Sequence, residues 1–190
     1  LQSGKHPGKT NLTDVDNALN ILRYLMEKPC CVIVKHNNPS GVARADRLAE
    51  AYTKANLADR VAAFGGAIVF NRELDLETAE RVMEQYAEVV AAPEFAEGVM
   101  ALFARKKNLR VMRIGNIANL AAYAGQTVLD FKALIDGGLV VQTSFVSRVR
   151  STADFLPAVT VWKGQEYRVN RAPTAVELED LLFGWLVECG

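Results

Sequence analysis

The chain is poor in several things, and each shortage narrows what it can do. Its 190 residues include three cysteines, Cys30, Cys31 and Cys189, with no Cys-x-x-Cys spacing among them. Adjacent Cys30 and Cys31 point to opposite faces of a strand, so neither a zinc site nor a dithiol redox pair is spelled, and buried free thiols in a reducing cytosol are expected. Charge of one sign is not in excess, because 22 Lys+Arg balance 22 Asp+Glu. A broad nucleic-acid surface would show a basic surplus, so nucleic acid is not an expected partner. No apolar run approaches the ~20 residues of a membrane span, and no charged-then-apolar leader opens the chain. The expectation is a cytoplasmic protein with no membrane partner. No 20–50-residue period repeats along the chain, which removes solenoids and propellers.

What is present is an alternation of helical and strand patterns. Apolar residues at Ala18, Ile21, Leu22, Leu25 and Met26 predict a helix over 14–28. Cys30-Cys31-Val32-Ile33-Val34 is a β-branched run of the kind buried on both faces of a parallel sheet. Helical spacing returns over 44–57, followed by a small-residue turn into the strand that ends at Phe70. Asp75 caps a helix over 76–87, Val89 to Ala92 is a short strand, 96–105 is helical and 109–114 alternates as a strand. Further on come a short helix over 131–135, a turn at Asp136-Gly137-Gly138 and a strand over 139–143. A hairpin over 159–169 folds around Lys163-Gly164. Thr174-Ala175-Val176-Glu177 is a capping box opening a final apolar helix. The rhythm predicts an α/β fold with a mostly parallel sheet between helical layers. A chain opening on Leu1 and closing on so apolar a helix is expected to be a segment of something longer.

Two motifs that catch the eye carry little. Gly4 and Gly8 have three residues between them where a nucleotide P-loop needs four, and no strand precedes them. A zinc deaminase needs His-x-Glu with a later Pro-Cys-x-x-Cys, but His36 is followed by Asn37 and Asn38.

The Lys35-His36 pair is more pointed. It ends a buried strand, and Asn37-Asn38-Pro39-Ser40-Gly41 reads as the turn that follows. Ligands of open α/β sheets gather beyond the carboxyl ends of strands, and His is the side chain best suited to exchange a proton near neutral pH. A structural His at a strand end remains the alternative. Phe64-Gly65-Gly66 precedes another strand, where an aromatic beside permissive backbone can stack on a flat ligand, or simply pack in the core by a tight bend. Glu88 is either a helix-end carboxylate or a ligand contact.

Taken in order, Val-Lys-His-Asn-Asn-Pro-Ser-Gly (34–41), Asp-Arg-Val-Ala-Ala-Phe-Gly-Gly (59–66), Phe-Asn-Arg-Glu-Leu-Asp (70–75), Glu-Val-Val-Ala-Ala-Pro (88–93), Lys-Lys-Asn-Leu-Arg (106–110) and the segment 172–185 resemble one family. They are similar to the formyltransferase domain of AICAR transformylase/IMP cyclohydrolase, over nearly the whole chain. The resemblance implies a three-layer α-β-α, cytidine-deaminase-like fold with a mostly parallel mixed sheet, residues 1–190 being the first of two such repeats and without the zinc ligands. The second repeat and the cyclohydrolase domain are expected outside the sequence given.

The family's reaction is formyl transfer from the co-substrate 10-formyltetrahydrofolate to the 5-amino group of AICAR in de novo purine biosynthesis, with no metal required. By resemblance His36 is the proton acceptor or shuttle, and Lys35 positions the reactants and favours the developing oxyanion. Val61, Ala62 and Phe64 would meet the folate, and Gly65 and Glu88 the nucleotide. The partners implied are AICAR, folate and a second copy of the chain, in a homodimer whose active site is shared. Ala62 and Ala63 stand where the family often has Ser. An Arg-Tyr-Gly-x-Asn-Pro-His-Gln motif and an active-site Asn are expected outside residues 1–190. Two further readings remain at this stage: a non-catalytic α/β ligand-binding or assembly domain, and another formyl- or acyl-transfer enzyme on a similar scaffold.

Overall fold

A computed structural model describes residues 1–190, which divide into an N-terminal unit of residues 1–124 with Gly190 and a C-terminal unit of residues 125–189. The N-terminal unit begins with helix α1 (Lys9–Leu22), then strands β1 (Cys30–Lys35) and β2 (Asn38–Arg44). Helices α2 (Leu48–Ala58) and α3 (Arg60–Ala63) lead into β3 (Ala67–Phe70). Helix α4 (Leu76–Met83), β4 (Val89–Ala92), α5 (Val99–Phe103) and β5 (Arg110–Arg113) follow, and a 3₁₀ turn covers Ile117–Tyr123.

The five strands form one sheet in the order β2-β1-β3-β4-β5. β3, β4 and β5 run parallel, as short helical crossovers require, while β1 is antiparallel to both β2 and β3. The sheet is therefore mixed and mostly parallel, with four strands sharing one direction and β1 reversed among them. Burial of β1 on both faces was legible in its composition; its direction was not, and the expectation of a parallel setting for it is corrected.

Alternation sorts the two faces. Cys31, Ile33, Ile68, Phe70, Val90 and Ala92 join a core with Leu48, Tyr52, Ala79, Val82, Val99 and Phe103 of α2, α4 and α5. The opposite face of β1 and β3 is covered by α1, whose Val15, Ala18, Ile21 and Leu22 are buried. Helix lies on both faces of the sheet. Burial pushes the Cys30 thiol up to about 12 and Cys31 well above its ordinary value, so both are inert packing groups.

The segment read as a turn after Lys35 is mostly strand. The turn is confined to His36 and Asn37, both at positive φ (54° and 62°), which is the two-residue hairpin connection that matches strand twist. Pro39 is tolerated because β2 is an edge strand and the register shifts there, between Ile33 and Val34 of its partner. Consequently the helix expected from residue 44 begins only at Leu48. Gly41 faces α2 so closely that a Cβ there would stand 1.9 Å from the Ala55 carbonyl oxygen.

Helix starts were easier to read. The Asp75 carboxylate accepts from the Thr78 amide at 2.7 Å, as a cap should, and α4 follows. Asn71 is a buried strut that sequence patterning did not single out. Its Oδ1 accepts from the Cys30 amide at 2.8 Å, and its Nδ2 donates to the carbonyls of Leu25 (3.2 Å) and Lys28 (2.8 Å). Asn71→Ala strips all three at once, and we expect it to lower unfolding free energy by about 3 kcal/mol. A urea titration checks this: the midpoint should fall with an unchanged slope.

The C-terminal unit holds hairpin β6–β7 (Leu129–Ala133 and Leu139–Thr143), hairpin β8–β9 (Val159–Trp162 and Gln165–Arg168) and helix α6 (Ala175–Glu188). The helix expected over 131–135 is a strand instead. Asp136-Gly137-Gly138 folds Leu129–Ala133 back onto β7, and ladder bonds outweigh a helical segment too short to nucleate. The hairpin around Lys163-Gly164 forms as read, with both turn residues at positive φ. Thr174 caps α6 reciprocally with Glu177, whose carboxyl is held down to about 2 chiefly by the Arg171 guanidinium and then by the Thr174 amide.

Candidate functional site

The reversed direction of β1 decides where Lys35 and His36 sit. Val34 pairs with Ala67, Ala67 with Val89, and Val89 with Arg110. The carboxyl end of β1 therefore meets the amino ends of β3, β4 and β5. The rule that ligands gather at carboxyl ends placed the pair at the wrong edge of the parallel strands, and that inference is corrected. The residues themselves still converge, because Phe64-Gly65-Gly66, Glu88 and Arg110 all stand where a neighbouring strand begins.

Lys35 Nζ donates to the Phe64 carbonyl at 2.7 Å, tying the β1 end to the segment before β3. That leaves two of its three ammonium hydrogens for a ligand. Gly65, at φ +77°, donates its amide to the Tyr86 carbonyl at 2.9 Å, and the Glu88 amide donates to Gly66 at 3.2 Å. These bonds bring Lys35, Phe64, Gly65 and Glu88 to one edge. The Phe64 and Tyr86 rings lie 5.3 Å apart at 42°, and Phe64 is 56% exposed. Phe64 is thus not a core residue; it faces solvent, with Val61 (86% exposed) one turn back on α3. Ala62 is half-buried and its amide donates to the capping Asp59 carboxylate. Val61 and Ala62 share the edge through α3 and make no recorded contact with Lys35 or Glu88.

His36 is exposed, and its backbone is held from below by α1. The Asn37 amide donates to Asp14 Oδ1 at 2.8 Å, and Asn17 Nδ2 donates to the Asn37 carbonyl at 3.0 Å. A non-glycine pair at positive φ is uncommon, and here two side chains fix it. The imidazole is presented on a clamped turn.

Glu88 sits across from the pair. Its Oε2 accepts from Asn11 Nδ2 at 3.0 Å and lies 3.8 Å from Arg110 Nη1. Arg110 also carries a buried Nε with no hydrogen-bond partner. Asn11, Asp14, Asn17, Tyr86 and Arg110 were missed by sequence reasoning. Asn11 lies before the helix expected over 14–28, and both Asn11 and Asp14 are polar residues that turn out to be buried, on a helix that starts at Lys9.

Chemically the edge offers a partly free ammonium, an exposed imidazole, a carboxylate paired with an amide, and an exposed aromatic wall. No group of three or more His, Cys, Asp and Glu side chains is arranged to hold a metal ion. No helix is long and apolar enough to cross a membrane. A concavity of about 970 Å³ in the C-terminal unit, lined by Phe155, Leu181 and Trp185 among others, includes none of these residues.

Comparison with known proteins gives this chain a family. A curated relative from Rhizobium leguminosarum bv. trifolii, named as bifunctional purine biosynthesis protein PurH, is 40% identical over 98% of this chain and 32% of its own length. A relative of the same name from Cereibacter sphaeroides is 42% identical over 97% of this chain, and one from Caldicellulosiruptor saccharolyticus is 36% identical over 97%. The chain spans about a third of the length of these relatives (32%). Among solved structures, Acinetobacter baumannii RibD, form 1, overlaps 60% of this chain and 36% of that one at 17% identity, with a TM-score of 0.42, too slight a likeness to carry an argument. The sequence pattern described as AICARFT/IMPCHase bienzyme matches residues 1–189, and with these relatives it establishes that the chain belongs to that family.

Proposed function

We propose that this chain is part of an enzyme of purine biosynthesis that transfers the formyl group of 10-formyltetrahydrofolate to the 5-amino group of AICAR. The observation that carries the reading is the 2.7 Å bond from Lys35 to the Phe64 carbonyl, which joins the motif assigned to catalysis to the segment assigned to folate. In this reading residues 1–190 are the first of two cytidine-deaminase-like repeats.

The chemistry asks for three things. The AICAR amine is conjugated with a carboxamide-bearing ring and is a weak nucleophile, so a base must take its proton as the nitrogen attacks the formyl carbon. His36, exposed on a clamped turn, has no competing partner for that proton. The formyl oxygen gains negative charge in the tetrahedral intermediate, and the free ammonium hydrogens of Lys35 stabilise it. Collapse breaks the bond to folate N10; the proton returns to N10, giving formyl-AICAR and tetrahydrofolate. Glu88 and Gly65 would hold the nucleotide, Glu88 by accepting from its amino or carboxamide hydrogens. Phe64, with Val61 and Ala62, offers the flat apolar surface a folate ring system needs.

The family's homodimer, with a site shared between copies, is part of the same proposal. Calorimetric titration of this chain with AICAR, alone and with a 10-formyltetrahydrofolate analogue, tests it. We expect saturable binding that Lys35→Ala weakens by roughly tenfold, the loss of a hydrogen bond to a charged group. Phe64→Ala should weaken only the folate analogue. Full-length protein that bound neither ligand would overturn the reading.

A further inference from the structure

The base of the reaction just described lacks the support such a group usually has. A general-base histidine is ordinarily oriented by a third group that bonds its second ring nitrogen. None of the hydrogen bonds at the His36 turn engages the imidazole. The ring is therefore aimed by the backbone that carries it.

That backbone is fixed from outside the hairpin. His36 and Asn37 both sit at positive φ, which two non-glycine residues adopt together only when their surroundings impose it. The peptide group that joins them is held at both ends. Its N–H, on Asn37, donates to Asp14 Oδ1 at 2.8 Å, and its carbonyl, on His36, accepts from Asn38 Nδ2 at 2.9 Å. The next peptide is held too, because the Asn37 carbonyl accepts from Asn17 Nδ2 at 3.0 Å.

As a helix residue Asp14 is a poor choice. It stands inside α1, where Asp ranks low in propensity, and it is 5% exposed, where a carboxylate is costly unless it is bonded. Its partner is a neutral backbone amide rather than a cation. Asn17 follows at i+3 on the same side of the helix. Asn11, at i−3, donates instead to Glu88 at 3.0 Å. One helix thus serves two parts of the site through different residues, and Asp14 and Asn17 serve the turn.

We infer that Asp14 and Asn17 are positioning residues of the reaction, orienting the His36 imidazole through the two peptide groups that flank Asn37. They replace the orienting partner that the ring itself lacks. The inference rests on the formyl-transfer reading and deepens it. Misplacing a reacting group by about 1 Å can cost about 10²-fold in rate, so the pair acts on kcat. It does not act on substrate binding, because Asn11 still holds Glu88, and Lys35 still holds the Phe64 segment.

The test uses full-length protein with AICAR and 10-formyltetrahydrofolate. The Asp14→Ala/Asn17→Ala double variant should lower kcat by roughly 10²-fold and leave KM for both substrates within about twofold. Asn17→Ala alone, at a half-buried position whose truncation spares the fold, should show the same pattern with a loss of roughly tenfold. Asp14→Asn keeps an acceptor oxygen of the same reach and should recover most of the rate. In a His36→Asn background no imidazole remains to be aimed, so the double substitution should lower the residual rate no further. Unchanged kcat in both alanine variants would overturn the inference. So would an equal loss in both backgrounds, or KM values that rise in step with the loss, since either would mean that the pair supports the edge at large. In those cases the formyl-transfer reading stands; if the wild type transfers no formyl group, both fall.

Discussion

His36→Ala in the full-length protein is expected to cut kcat for formyl transfer by roughly 10³-fold, within the range for removing a positioned general base. KM for AICAR should barely move, because the nucleotide contacts assigned to Glu88 and Gly65 remain. The substitution has a second consequence that must be separated from the first. His36 holds φ at 54°, a conformation in which Ala is less comfortable than His or Asn. His36→Asn supplies the control, since Asn tolerates the turn and cannot exchange the proton. Both variants should be inactive, and only His36→Ala should lose measurable stability. Near-wild-type turnover by either would place the proton acceptor elsewhere.

The largest effect on folding is expected at Gly41, which the sequence reads as part of the turn after Lys35. Its role in this fold is steric. A Cβ would stand 1.9 Å from the Ala55 oxygen and 2.8 Å from its carbon, and both are backbone atoms that no side-chain rotation can move aside. Either α2 lifts from β2 or the hairpin distorts; Gly41→Ala should therefore cost about 3 kcal/mol or more, at the upper end for overpacking. Differential scanning calorimetry of the variant reads this directly. A loss under about 1 kcal/mol would mean that α2 shifts freely on the sheet, contrary to the packing described.

Much of the fold could be read from side chains, and the failures have identifiable causes. β1, β3 and β4 announce themselves as short β-branched or small apolar runs ended by turn formers. Asp75 and Thr174 mark helix starts because capping is local chemistry: a side-chain oxygen meets an amide two or three residues on. Direction is not local. Nothing within Cys30–Lys35 says that it runs against β3, and that reversal moved the Lys35–His36 pair to the other edge of the parallel strands. Asn38–Arg44 escaped notice because Asn, Pro, Ser and Gly are turn formers until an edge strand and a register shift accommodate them.

The site divides in the same way. Lys35, His36, Phe64, Gly65 and Glu88 stand out by type and by position at strand boundaries, and four of them are linked by backbone or side-chain bonds at one edge. The side chains that hold them were not visible. Asp14 and Asn17 clamp the turn from a helix 20 or more residues earlier, and Arg110 approaches Glu88 from β5. Each is an ordinary surface residue by pattern and becomes specific only through long-range contact.

The central claim is that the Lys35–His36 turn is the working edge of a formyl-transfer site. It is tested most directly by a single-turnover quench of the full-length protein with AICAR and 10-formyltetrahydrofolate, wild type beside His36→Asn. The account predicts tetrahydrofolate and formyl-AICAR in equal amounts from the wild type, and unreacted but bound substrates in the variant. Equal product from both proteins, or none from the wild type, would contradict it.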